Sequence, residues 1–207
     1  MPVIEKLATS LDRRDEEPNK ELASHIAQTN DSEAVAELVQ LQHKNRNIQS
    51  DSIKTLYELG GIKPALISPY VTHFVLLLQS KNNRMVWGAM AALSAVASIN
   101  PELLYQHLTT ILDAAAKGSV IAKDHANRIL VHLTKTSAYT SNVLALLIDQ
   151  LKDAPLNQLP AYAENTATVV TDAFKPELLR VLQERLPEVE QESKRKRLEK
   201  VLKKLQK

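Results

Sequence analysis

An all-α fold, a right-handed α-α superhelix of about five stacked helix pairs, is what this sequence predicts, and three observations predict it. The chain aligns with itself at an offset of 37 residues. The aligned positions recur at helical spacing. Only four glycines occur among 207 residues, too few for a turn-rich β architecture or a Gly-rich phosphate loop.

The repeat comes first, because a fixed period decides the fold before any single helix does. One column reads Ser52, Ala89, Ala126, Ala163; a second Leu56, Leu93, Leu130, Ala167; a third Leu59, Val96, Leu133, Val170. Within each copy the spacing is i, i+4, i+7, one face of a helix. After residue 175 the register slips by two, and Leu198, Leu202 and Leu205 take the same roles. An upstream set, Val71, Phe74, Val75 and Leu78, matches Leu108, Ile111, Leu112 and Ala115, then Leu144, Leu147, Ile148 and Leu151. Each unit is therefore two amphipathic helices, A then B.

In chain order, residues 1–26 read as an N-terminal helical cap, followed by pairs at about 27–62, 63–99, 100–136, 137–174 and 175–207. Asn100-Pro101 offers a capping side chain ahead of a proline at the first helical position. Lys63-Pro64 and Lys175-Pro176 mark equivalent starts, and Ser68-Pro69 is a break point within the second A helix. Gly60-Gly61 and Gly118 fall where a left-handed residue ends a helix. No pair can bury both apolar faces alone. The expectation is therefore one continuous α-solenoid over 1–207, A helices convex and B helices concave.

Composition bounds the chemistry. Apolar residues are 44% and charged residues 24% of the chain, enough for a core. With 26 basic against 24 acidic residues, the net charge of +2 does not by itself imply nucleic acid. The absence of cysteine removes disulfides, thiolate catalysis and Fe–S clusters. Met1 to Leu11 lacks the pattern of a signal peptide, and no apolar run approaches the ~20 residues that span a bilayer. A soluble, cytoplasmic protein with no membrane partner is expected. Residues 175–207 nevertheless carry eleven basic and six acidic side chains.

The stretch Asn83-Arg84-Met85-Val86-Trp87-Gly88-Ala89-Met90-Ala91-Ala92-Leu93 resembles the second helix of HEAT repeats in bacterial proteins. With a helix pair every ~37–40 residues, proline near the start of A and small residues in B, the chain is similar to the HEAT/armadillo superfamily from about residue 27 onward. That resemblance implies a scaffold and a mode of binding rather than an activity.

Searches for catalytic chemistry return little. G-x-S-x-G, G-x-x-x-x-G-K-[ST] and H-E-x-x-H are all absent from the sequence. His125 and His132 share a helix two turns apart, ~10 Å, too far for one ion at ~2.1 Å ligand distances. The HEAT-like iron hydroxylases carry His-Glu pairs, and none occurs here. HEAT-like alkylpurine DNA glycosylases are a second comparison, and Trp87, Asp124 and Arg128 would have to stand in for their aromatic, acid and arginine. The expectation is no catalytic residue, no metal and no cofactor.

Binding residues are sought on the B-helix side opposite the core. Ser50, Lys54, Tyr57 and Gly61 fall there, with Trp87, Ala91, Ser94 and Ser98 in the next copy. Asp124, Arg128, Val131 and Lys135 follow, then Ala161, Asn165, Thr168 and Asp172. Trp87, Arg84, Tyr57, Lys54, Asp124 and Arg128 are the candidate contacts for a protein or peptide partner, since Trp, Tyr and Arg dominate hot spots. The alternative role for Trp87 is to fill the seam between two B helices while Arg84 pairs with a neighbouring carboxylate. Lys194, Arg195, Lys196, Arg197, Lys200, Lys203 and Lys204 form a basic patch on the last helix. It reads either as the polar outer face of a terminal repeat or as a site for nucleic-acid phosphate.

Overall fold

Over residues 2–206, which the computed structural model describes, the chain forms helices joined by short turns, with no strand among the described residues. Two 3-10 turns, Val3–Lys6 and Ala8–Leu11, precede α1 (Glu17–Thr29), α2 (Ser32–Leu41) and α3 (Arg46–Ile62). Then come α4 (Pro64–Ile67), α5 (Val71–Leu77), α6 (Asn83–Ala95), α7 (Pro101–Gln106), α8 (Leu108–Lys117) and α9 (Val120–Leu133). The last elements are α10 (Thr140–Lys152), α11 (Leu159–Ala167), α12 (Lys175–Arg185) and α13 (Glu192–Leu205). The chain divides into two compact units, residues 1–126 and 127–207. No helix among the described residues is long and apolar enough to cross a membrane.

The periodic columns are the core, except that Ala167 and Val170 are only partly buried. Ser52, Ala89, Ala126 and Ala163 are fully buried, as are Leu56, Leu93, Leu130, Leu59, Val96 and Leu133. Val71, Phe74, Ile111, Leu144, Leu147 and Ile148 line the A helices at 0% exposure. Small residues in the first column let helices approach, and leucines in the second fill the space between them.

In the first unit α3 packs between α1 and α6, α2 packs on α3, and α5 packs on α6. The N-terminal residues, expected as a helical cap over 1–26, form two 3-10 turns and then α1, which runs to Thr29. The turn Val3–Lys6 lies against α2, the turn Ala8–Leu11 lies against α3, and α1 packs on α3. Leu7, Ala8 and Val3 are buried there. A polar latch holds this segment. The Ala8 amide donates to Asn19 Oδ1 at 3.0 Å, Asn19 Nδ2 to Asp51 Oδ1 at 2.9 Å, and the Thr9 amide to Asp51 Oδ2 at 2.7 Å.

Three helices start on an acceptor side chain: Asp31 takes the Ala34 amide, Asn45 those of Asn47 and Ile48, and Asn82 that of Arg84. Asn100 does not, contrary to expectation. Its backbone is not extended (ψ 50°), its side chain makes no cap hydrogen bond, and its Oδ1 is buried with no partner among the described residues. Pro69 does interrupt the second A helix, through a 3-10 turn at Ser68–Tyr70. The glycines also act otherwise than expected. Gly60 and Gly61 lie inside α3, no glycine has positive φ, and the left-handed positions are Asp12 and Asn30. Gly60 is needed for close approach, because a Cβ there would sit 2.5 Å from Ile67 Cδ1. Gly118 has extended backbone, and a Cβ there would meet the Ala114 carbonyl oxygen at 2.7 Å.

The second unit has one continuous core, in which Ile148, Leu151, Leu159, Leu178, Leu182, Val189 and Leu198 are buried together. Asn127, fully buried, accepts from Asn165 at 2.9 Å and donates to Gln150 at 3.4 Å, so it is satisfied inside the core. Arg185 closes the end of α10. Its guanidinium donates to the carbonyls of Leu151 (2.7 Å), Ala154 (3.0 Å) and Lys152, while Nε pairs with Glu188 at 2.9 Å. A cation on the last carbonyls complements the helix dipole. Arg185→Ala is expected to cost about 2 kcal/mol by stranding those acceptors, and Arg185→Lys to recover little, lacking the fork. Hydrogen exchange at the C-terminal end of α12 against that of α10 checks it, and unchanged protection in Arg185→Ala would refute the capping role.

Candidate protein-docking face

The first unit brings four of the six expected contact residues together, and Glu16 and Glu58 with them. Lys54, Tyr57 and Glu58 stand at i, i+3 and i+4 on α3, so they share one strip of that helix. Arg84 and Trp87 stand one turn apart near the start of α6. Glu16 is the residue before α1. Because α3 packs against both α1 and α6, side chains from three elements converge.

At the centre the Tyr57 and Trp87 rings lie 6.4 Å apart, tilted by 39°, within the range of favourable aromatic pairs. Lys54 Nζ sits 4.8 Å from the Tyr57 ring centroid and Arg84 Cζ 5.7 Å from that of Trp87. Lys54 Nζ pairs with Glu58 at 2.6 Å and with Glu16 at 2.9 Å, and Arg84 pairs with the other oxygen of Glu16. Two cations and two carboxylates thus cancel. Burial opposes protonation of Lys54, but Glu58, the Tyr57 oxygen and Glu16 outweigh it and raise its pKa above the ordinary lysine value. Burial likewise opposes ionisation of Glu16, yet Lys54 and Arg84 hold its pKa below the usual carboxylate range. Tyr57 is pushed up chiefly by burial.

This geometry corrects one expectation. Lys54 does not project from the face, since only 7% of the residue is exposed and its ammonium is spent on carboxylates. Arg84 does pair with a neighbouring carboxylate. What the face presents is the half-buried Tyr57 and Trp87, each with a cation against its ring. Asp124 is half-buried and Arg128 exposed, both on α9 and outside this cluster. Glu58 was legible as the i+4 partner of Lys54. Glu16 was not, because seeing it required α1 to be placed beside α3.

On its other side Trp87 borders a hollow of about 280 Å³, lined by Asn83, Val86 and Trp87 of α6 and by Lys117, Ile121 and Ala122 around the turn into α9. Gly118 and Ser119 complete the lining. Ile121 and its neighbour Val120 are 44% and 43% exposed, unusual for adjacent branched apolar residues.

The basic patch on α13 is largely engaged. Arg197 forms a two-pronged pair with Glu164 at 2.8 and 2.6 Å, which holds that carboxyl below its usual pKa. Lys196 pairs with Glu192, Arg195 donates to the Val189 carbonyl, and Lys194 to Asn157. Lys200 faces Glu164. Lys203 and Lys204 are exposed and in no ion pair among the described residues.

No protein-family model and no curated protein matches the chain. Three crystal structures from the Northeast Structural Genomics Consortium, each titled as an engineered protein, are similar in fold. The first superposes with a TM-score of 0.63 at 19% identity, covering 100% of this chain and 97% of that one. The second gives 0.60 at 20% identity, covering 99% of each chain, and the third 0.60 at 19%, covering 99% of this chain and 58% of that one. At such identities the likeness shows the fold alone, an all-helical architecture of the helical-repeat class.

Proposed function

We propose that the chain is a non-catalytic helical-repeat scaffold that binds a protein or peptide on its B-helix face. The repeats are of the HEAT-like type, winding as a right-handed solenoid whose concave side the B helices line. The observation that carries this reading is the half-exposed Tyr57–Trp87 pair, braced by Lys54, Arg84 and two glutamates and bordered by an apolar hollow. Rigid aromatics next to a concavity are what hot spots are made of, and prior bracing lowers the ordering cost on binding.

Affinity capture from lysate tests it, using wild type, Trp87→Ala and Ile121→Glu, each shown to retain its helical circular dichroism. A protein retained by wild type through a high-salt wash and lost from both variants is the expected result. Nucleic acid recovered at low salt only, indifferent to both substitutions and lost with Lys203→Glu/Lys204→Glu, overturns it and moves binding to α13.

A further inference from the structure

Resting on that docking reading, we infer that the segment bound is an acidic peptide with one bulky apolar side chain. The apolar side chain seats in the hollow beside Trp87. The peptide carboxylates lie along the basic edge formed by the turns that lead into α3, α6 and α9.

That edge is continuous on the structure. Gln49 at the start of α3 donates to the Lys44 carbonyl at 3.0 Å and accepts from Asn82, the residue before α6, at 3.3 Å. Asn83 and Trp87 of α6 share the hollow with Lys117, Gly118 and Ser119 ahead of α9. Three successive turns therefore lie side by side. Each carries exposed cations: Lys44 and Arg46, then Lys81, then Lys117, none in an ion pair among the described residues. The sequence holds no Asp or Glu over residues 38–50, 59–101 or 114–123. Arg84 is the one cation here with a carboxylate partner, Glu16.

The asymmetry is local. Residues 1–37 carry nine of the acidic side chains of the first unit, so the basic edge is not a by-product of overall charge. An unneutralised cationic strip bordering an apolar hollow complements an anionic ligand that also has apolar bulk. The hollow, at about 280 Å³, is at the lower limit of small-molecule sites, about 300–1,000 Å³, and suits a single large side chain. Val86, Ile121 and Ala122 offer it aliphatic contacts. These features favour peptide over nucleic acid. Single-strand binders stack successive bases on several aromatic side chains, and Trp87 is the one aromatic residue lining the hollow.

Selection of a displayed random-peptide library on the full chain tests the inference. Winning sequences are expected to carry several Asp or Glu around one Phe, Leu, Met or Trp. A fluorescein-labelled winner should lose about tenfold or more in affinity to Lys81→Glu/Lys117→Glu, through charge reversal. Ile121→Glu should cost a similar factor by closing the hollow to apolar groups. Winners that lack acidic residues, or that bind the lysine variant as tightly as wild type, overturn the inference. If those winners still fail on Trp87→Ala and Ile121→Glu, the docking reading stands without it. No winners at all count against both. Binding of single-stranded oligo(dT) that Lys81→Glu/Lys117→Glu abolishes overturns the inference in favour of a nucleic-acid edge.

Discussion

Gly88→Leu is expected to lower stability by about 3 kcal/mol, more than its gain in helix propensity, about 1 kcal/mol, can offset. A Cβ at Gly88 would lie 2.6 Å from Ile53 Cγ1 and 3.2 Å from Cγ2. Ile53 is 1% exposed and has nowhere to swing. A leucine would wedge α6 away from α3, the seam that also holds the Tyr57–Trp87 pair. Trp87 is the only tryptophan in the chain, so its fluorescence follows this seam directly. The midpoint of its thermal transition should fall by roughly 10 °C. Ile53→Ala combined with Gly88→Leu should be less harmful than the two effects added, because the cavity of one accepts the bulk of the other. Additive effects would show that the contact is not what limits residue 88. Gly88→Ala is the milder control.

The B-face reading of Trp87 and Tyr57 followed from counting 100° per residue along helices whose cores were fixed by the 37-residue columns. Those columns are buried except at Ala167 and Val170, and Tyr57 and Trp87 lie half-buried away from them. Lys54 shows where such counting stops. A helical wheel assigns a residue to a side of its own helix, but the presence of a second helix on that side depends on tertiary packing. Here α1 supplies it. The same columns extend into α1 as Asn19, Ala23 and Ile26, offset by 33 rather than 37 from Ser52, Leu56 and Leu59, and all three are buried. A four-residue deletion, one helical turn, keeps the face and hides the period. The polar Asn19 in a column otherwise of small residues obscured it further. Asn100 failed as a cap for a different reason. Propensity places Asn before Pro101, but the backbone there is set by the packing of Val96 and Leu104, both fully buried. The hollow was not legible at all, since it depends on extended backbone at Gly118 and on the distance between two helices remote in sequence.

Asp51→Ala should cost about 3 kcal/mol, because its two carboxylate oxygens each accept a hydrogen bond that no other group can take over. One comes from the Thr9 amide at 2.7 Å and one from the Asn19 carboxamide at 2.9 Å. Asn19 is wholly inaccessible, so its freed Nδ2 would remain buried without a partner, and its hold on the Ala8 amide would weaken with it. The 3-10 segment would then come away from α2 and α3, exposing Leu7, Val3 and Ala8. Amide exchange at Ala8 and Thr9 should accelerate before any other part of the first unit, and Asp51→Asn should keep part of the protection by retaining one acceptor. Exchange at those amides unchanged in Asp51→Ala would refute the latch. The consequence reaches the Tyr57–Trp87 face through Glu16, which joins this segment to α1 and neutralises both Lys54 and Arg84. Loosening it leaves Lys54 with Glu58 alone and frees Arg84 over the Trp87 ring. A shift in Trp87 emission in Asp51→Ala under native conditions would therefore show the N-terminal pair bracing the aromatic face.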